Sequence, residues 1–360
     1  MYLFSDLSHL SIADMHILTD KVCRHSQLLY TLSSNNTTQE MTVGAAAEYK
    51  KFGKTDVFML LAILFWAVNF SFLKIVFREM DPLAFNGLRM LLASSVLVLI
   101  CLFSGESLRV GRRDFWKLVG LGAVGNTLFQ MVFILGLDLT TASNSSIIIA
   151  LTPVIIALLS YFLKHEKIHP AAWLGIAISF VGFYLVISSQ YGFVQFSHKS
   201  LLGDILIFAG NILWAIFTVF SWPMLKRLSP LKLTTLTMVY GTMFYVPFSI
   251  KGILNTDITA LSLNAWAILA YSAVFSLVIP YIIWYSSVRR IGNSKTAIYD
   301  NLIPVLTILF AYFMIGERIT LVQAIGALII CVGVYLTRVG YRRFIGENRE
   351  RLSIHAARDD

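Results

Sequence analysis

Charge is what this sequence has least of. Of its 360 residues, 14% are Asp, Glu, Lys or Arg and 57% are apolar, whereas a soluble domain carries about 25% charged residues. Whole stretches hold no charge at all, among them Leu118 to Leu137, Leu139 to Leu163, Ile205 to Leu225 and Ile319 to Thr337. A helix needs about 20 apolar residues to cross a bilayer, so lipid is the expected solvent and a water-soluble domain is excluded. Cysteine is scarce too. Cys23, Cys101 and Cys331 are too few and too scattered for a disulfide framework or a zinc site, and the last two read as small packing residues inside apolar runs. The histidines, His9, His16, His25, His165, His169, His198 and His355, all fall outside the expected spans, which leaves an intramembrane zinc or haem site without ligands. A single carboxylate, Asp300, is expected well inside a span, so an aspartyl dyad is unsupported, and no Walker loop or dinucleotide fingerprint occurs. The chain is therefore expected to be no enzyme, to bind no metal and to need no cofactor.

What the chain does contain is itself, twice. ALTPVIIALLSYFLKHEKI, Ala150 to Ile168, returns altered as NLIPVLTILFAYFMIGERI, Asn301 to Ile319. A constant offset of 151 pairs Pro153 with Pro304, Tyr161 with Tyr312, Glu166 with Glu317, Gly175 with Gly326 and Gly182 with Gly333. Nearer the start of each copy, an offset of 148 pairs Asp56 with Asp204, Trp66 with Trp214 and Pro82 with Pro230. Each copy predicts five spans: 56–77, 83–103, 115–137, 142–163 and 170–188, then 202–225, 231–250, 263–288, 295–315 and 320–338. The expected fold is an all-α membrane protein of ten transmembrane helices built as two five-helix repeats. An odd number of spans per unit sends the second copy into the membrane from the opposite side, so the repeat is expected to be inverted. The domain plan is a tail at 1–54, repeats at 55–190 and 200–338, and a basic tail at 339–360. The first tail reads as disordered around SSNNTTQE, and Met41 would serve as a start as well as Met1.

Loop charge sets the orientation. The net charge of +9 could suggest nucleic acid, but the basic residues lie between spans rather than in one domain, so no nucleic-acid partner is expected. Clusters such as Lys50, Lys51 and Lys54, Arg109 to Lys117, Arg289 and Arg290, and Arg338 to Arg351 fall on one side, against isolated Lys74, Arg78, Lys199, Lys251 and Arg318 on the other. Because Lys and Arg are enriched in cytoplasmic loops, both termini are expected in the cytoplasm, with the chain in the plasma (inner) membrane. Two inverted halves can exchange conformations and open a midplane site to alternate sides. Alternating-access transport of a small molecule is thus the leading reading, and a non-transporting scaffold or sensor is the alternative.

Two five-span units, each opening on a Trp-bearing helix (LFWAVNFSFLK and NILWAIFTVFS) and closing on P-x(7)-Y-F-x(3)-E followed by G-x(6)-G, resemble the paired EamA domains of the drug/metabolite transporter superfamily. The resemblance covers about Thr55 to Arg338. It implies a ten-helix carrier, commonly an exporter of amino acids or other small metabolites; a nucleotide-sugar or lipid-linked-sugar translocator is the alternative within that class. The second unit departs from the first in having Thr237 where the first has Arg89.

Individual residues follow from depth. Pro153 and Pro304 each remove a backbone donor near the bilayer centre, giving either a packing kink or a hinge beside the substrate path. Glu166 and Glu317 close the same helices and read as a solvated turn or inter-helix ion pair that fixes the hairpin. Gly175 with Gly182 and Gly326 with Gly333 suit close helix approach, within the chain or between protomers of a homodimer. Arg89 and Asp300 are the charged groups expected well inside spans. Arg89 is read as snorkelling or meeting backbone carbonyls near the outer mouth, or else binding a substrate carboxylate. Asp300 is read as a proton-coupling group, a binder of a substrate amine, or the partner of Lys295 or Arg289; straight helices keep it from a direct bridge to Arg89. Uncharged candidates for a cavity lining are Trp66, Asn69, Asn126, Gln130 and Asn144 in the first half. Those in the second half are Trp214, Thr218, Tyr240, Tyr281, Trp284, Tyr299 and Asn301.

Overall fold

A computed structural model describes residues 53–163, 170–188, 198–257 and 259–336. The expected tail at 339–360, the first tail up to residue 52, and Glu166 lie outside the described residues. Contacts divide the chain into two units, Met1–Val57 and Phe58–Asp360; in the first, the described part begins at Gly53, whose amide is accepted by Asp56 at 2.8 Å as the first helix starts.

Among the described residues all regular structure is helical. The helices are α1 (Lys54–Val76), α2 (Pro82–Phe103), α3 (Arg112–Leu139), α4 (Ala142–Phe162), α5 (Pro170–Ser188), α6 (His198–Leu225), α7 (Pro230–Asn255), α8 (Leu263–Ile291), α9 (Asn293–Ile315) and α10 (Leu321–Leu336). Eight are long and apolar enough to cross a membrane, whereas the apolar stretches of α5 and α10 are shorter, at Trp173–Val186 and Leu321–Leu336. Two boundaries differ from expectation by four residues or more: α6 opens at His198 and not Leu202, and α7 runs on to Asn255 past Ile250. Each start is written in the local sequence. Asp81, Ser229 and Ser262 accept the amides of Ala84, Lys232 and Ala265 at 2.8, 3.0 and 3.1 Å, and Pro82 and Pro230 occupy the first turn, where no amide partner exists to be lost. Gly316, with φ of +70°, turns the chain out of α9 in a conformation that disfavours a side chain.

The bundle is apolar outside as well as inside. Phe103, Leu254, Phe313 and Leu321 are 89, 77, 75 and 77% exposed, a surface that water would penalise and lipid tails would not. Inside, small residues let backbones meet. A side chain at Gly182 would begin 2.7 Å from the Gly326 carbonyl, and one at Gly333 would begin 2.6 Å from the Gly175 carbonyl. The two glycine faces therefore pack on each other within the chain, joining α5 to α10.

Four helices are interrupted at depth. In α3 and α8 the winding loosens to a π-helix over Ala123–Leu128 and Ala273–Val278. In α4 the chain turns at Ala150 and Leu151 before restarting at Thr152, and in α9 a 3-10 turn, Ile298–Leu302, precedes the restart at Ile303. Pro153 and Pro304 sit in the first turn of each restarted segment. The expected kinks are thus full breaks, since proline fits the start of a helix and not its middle.

Candidate functional site

The interruptions meet around one cavity of about 80 Å³. Ile149 comes from the break in α4, Asp300 and Ile303 from that in α9, Ser276 and Leu277 from the π-turn of α8, and Phe129 and Gln130 follow the π-turn of α3. A continuous helix would satisfy its own carbonyls; these breaks free them for side chains. Trp66 Nε1 donates to the Ser276 carbonyl at 2.9 Å. Asn211 Nδ2 donates to the Ile148 carbonyl at 3.1 Å, and Thr152 Oγ1 lies 2.6 Å from the Ile149 carbonyl and 2.7 Å from Asn211 Oδ1.

One wall is aromatic. Trp66 and Trp214 meet edge to face at 6.1 Å between ring centroids, and Tyr281 lies 5.2 Å from Trp214. Trp284 stands behind them, fully buried and 5.6 Å from each tryptophan. Such offset and edge contacts add about 0.5–1.5 kcal/mol per pair beyond area burial.

Two charged side chains line the same space. Arg89, 1% exposed, donates from Nη2 to Gln130 Oε1 at 2.7 Å and from Nη1 to Ser272 Oγ at 3.2 Å. Gln130 in turn donates to the Tyr281 hydroxyl at 3.0 Å, and Ser272 donates to Asn69 Oδ1. This corrects the expectation that Arg89 snorkels to the outer mouth or binds backbone carbonyls: neutral side chains from α3 and α8 hold it deep in the bundle. Asp300, also 1% exposed, has the Thr152 hydroxyl as its interacting group and one carboxyl oxygen without a hydrogen-bond partner. No ion pair joins Arg89 and Asp300 among the described residues.

Of the candidates read from sequence, Trp66, Asn69, Arg89, Gln130, Trp214, Tyr281 and Asp300 line the cavity. The others are placed elsewhere. Asn126 is buried where α3 crosses Gly241 of α7, Thr218 is buried beside the Tyr285 hydroxyl, and Tyr240 packs against Phe115 at 5.4 Å. Tyr299 and Asn301 are half-buried in the 3-10 turn. Asn144 belongs to a second polar cluster. Its Nδ2 lies 3.4 and 3.3 Å from the two Asp204 oxygens, its Oδ1 accepts from Gln323 at 2.6 Å, and Asp204 also accepts from Thr140 at 2.6 Å. Asp204 is fully buried, so Asp300 is not the one embedded carboxylate. Glu317 sits beside this cluster and accepts from the amides of Ala142 and Ser143, both at 3.0 Å, and from the Ser143 hydroxyl at 2.8 Å. It caps the N-terminus of α4, where a negative charge is favoured, with Lys74 close enough to act on its charge. Among the described residues no three of His, Cys, Asp and Glu converge as metal ligands would.

Comparison with known proteins agrees with this architecture. The EamA-like transporter family matches residues 53–188 and 201–339. An "Uncharacterized transporter" of Archaeoglobus fulgidus is 32% identical, covering 79% of this chain and 97% of that relative. The "Uncharacterized transporter YyaM" of Bacillus subtilis is 30% identical over 82% of this chain and 97% of its own. A "Probable amino-acid metabolite efflux pump" of Escherichia coli is 22% identical over 80% and 96%. A solved structure described as "Crystal structure of protein" superposes with a TM-score of 0.60 at 18% identity, over 82% of this chain and 99% of the other, which speaks for the fold alone.

Proposed function

Because this chain belongs to the EamA-like transporter family and is an integral membrane protein, we propose that it is a secondary-active carrier exporting amino acids or related small metabolites by alternating access. In this reading α1–α5 and α6–α10 are two inverted repeats making ten spans, in the plasma membrane with both termini cytoplasmic. The observation that carries it is a cavity bounded by contacts between equivalent positions of the two repeats. Trp66 meets Trp214, and Gln130 meets Tyr281 at the 151 offset. A residue touches its own counterpart only beside a two-fold axis, and the glycine faces support the same axis by pairing reciprocally, Gly182 with Gly326 and Gly175 with Gly333. Carriers of this construction bind substrate where the repeats meet, between broken helices. The name of the Escherichia coli relative supports an amino-acid metabolite as cargo and efflux as the direction.

Two features weigh against the other readings. A scaffold has no use for a cavity that buries two ionisable side chains, which cost stability within a membrane. A nucleotide sugar brings a diphosphate, and the cavity offers it one guanidinium. The glycine faces are occupied within the chain, so they lend no support to a homodimer. The test is flux from proteoliposomes loaded with amino acids under pH and sodium gradients; no movement under any gradient overturns the proposal. Asp300 is read as the coupling group, so Asp300→Asn should leave export insensitive to a pH gradient, and an unchanged dependence removes the residue from that role.

A further inference from the structure

We propose that the lipid-facing side of α3 carries a site for one anionic phospholipid. Arg112 and Arg113 receive the phosphate, Trp116 lies against the glycerol, and an acyl chain fills a notch at Gly120. This goes beyond the carrier reading and does not depend on it. Three observations carry it.

The first is a group of cations that the fold leaves unanswered. Some bases at this end of the bundle are used internally: Arg227 pairs with Asp114 at 2.9 Å, and Lys232 donates to the Arg109 carbonyl at 2.8 Å. Arg112, Arg113 and Lys117 are exposed and, among the described residues, pair with no carboxylate. The acid in the first turn of α3 is Asp114, which Arg227 already holds. Helix stability does not explain the three bases either, because a cation at the start of a helix meets the positive end of its dipole. Next to Arg227, Lys226 lies 4.2 Å over the Trp222 ring instead of meeting an acid. A membrane-proximal surface of this sign attracts anionic headgroups, by roughly fivefold in affinity per basic residue.

The second is an indole held outward at the right level. Trp116 follows Arg112 by four residues and so lies one turn along the same face. It is 64% exposed. Phe115 touches it edge to face at 5.2 Å and packs in turn on Tyr240 of α7, which props the ring away from the bundle. Tryptophan in this position, just below a row of bases, sits where headgroups meet acyl chains. That favours a ligand with an apolar body over a free anion in water.

The third is a gap on the same face. Gly120, four residues and about 6 Å beyond Trp116, is exposed, and a Cβ there would meet nothing within 4 Å. Gly122 is different: a Cβ there would begin 2.7 Å from the Thr237 carbonyl, so close helix packing requires that glycine. Glycine weakens a helix interior, and at Gly120 no packing neighbour demands it. The missing side chain leaves a groove on an apolar face that continues to exposed Leu128, and a single hydrocarbon chain fits such a groove.

The test is titration of the purified full chain in detergent micelles, with bound lipid counted by native mass spectrometry. The probes are dioleoyl phosphatidylglycerol, dioleoyl phosphatidylcholine, which shares the chains without the net charge, and glycerol 3-phosphate, which has the phosphate without the chains. The expected result is one tight equivalent of phosphatidylglycerol, bound about tenfold or more tightly than either other probe. Arg112→Gln with Arg113→Gln should erase the advantage over phosphatidylcholine. Arg289→Gln with Arg290→Gln, which takes the same charge from the end of α8, should leave it. Gly120→Leu keeps every charge and enters open space, so the chain folds as before and phosphatidylglycerol binding weakens severalfold. Equal binding of the two lipids, or equal losses in the two arginine pairs, overturns the inference by reducing it to diffuse surface charge. Glycerol 3-phosphate bound as tightly as the lipid, or Gly120→Leu without effect, overturns it as well, since no acyl chain is then held.

Discussion

At the scale of single residues, Gln130 bears the most consequence for its size. Its carbonyl holds Arg89 and its amide holds the Tyr281 hydroxyl, so it fixes the guanidinium against the aromatic wall. Gln130→Leu keeps the volume and leaves a buried charged donor unmet, which costs about 1–3 kcal/mol or more; a thermal melt of the purified protein should fall by several degrees, and an unchanged melt would show that Arg89 finds another acceptor. Glu317 acts through three hydrogen bonds to the start of α4. Glu317→Ala removes a cap of about 0.5–2 kcal/mol and should speed amide exchange at Ala142 and Ser143 with little effect at the other end of the helix. Sequence reading found Trp66, Trp214, Gln130 and Tyr281 because polar and aromatic groups at mid-span stand out against an apolar background. It missed Asn211, whose partners are carbonyls released by a break in another helix, and Asp204, whose helix starts earlier than its hydrophobicity suggests. Depth along one helix says nothing about which neighbour supplies a partner. For the same reason Arg89 was assigned to a mouth when its acceptors, Gln130 and Ser272, lie on α3 and α8.

At the scale of elements, the glycine-on-glycine crossing of α5 and α10 is the most exposed to test. A Cβ at Gly182 would press on the Gly326 carbonyl and the Ile330 amide at 2.7 and 2.8 Å; backbone on both sides cannot yield as a flexible side chain would. Gly182→Val should therefore separate the pair and destabilise by about 1–3 kcal/mol, read as a lowered unfolding midpoint; retention of the native midpoint would mean that the crossing is looser than its geometry. The spacing of these glycines was legible because seven residues return to nearly the same helix face. Their partner was not, since a helix face reads alike whether it meets its own chain or another. The prolines show the converse limit. A missing amide donor is visible in the sequence, but whether the helix bends or stops depends on which side chains reach the freed carbonyls, here Asn211 and Thr152.

At the scale of the whole molecule, the path of the chain fixes which ends share a face of the bilayer. Glu79, between α1 and α2, accepts from the amide and hydroxyl of Ser262 at the start of α8. At the opposite end Asp114 pairs with Arg227 at 2.9 Å, and Lys232 donates to the Arg109 carbonyl at 2.8 Å. Arg112 and Arg290 thus lie at one end. In a background without native cysteines, Arg112→Cys and Arg290→Cys should both resist an impermeant maleimide added outside intact cells and both react once the membrane is opened; labelling of one but not the other from outside would break the proposed topology. The repeat was legible because a duplicated hydrophobic rhythm survives divergence, while the cavity was not, being a product of how the helices lean together. That product is lopsided in one respect. Ile149 and Asp300 occupy matching stations on the two sides of the chamber, yet one is a hydrocarbon and the other an acid. Under the alternating access proposed above, the acid changes neighbours when the halves swap shapes and no twin takes its former post. The two facings then differ in free energy even with nothing bound, so an idle population gathers on one side of the membrane and the empty return stroke runs at a different speed in each direction.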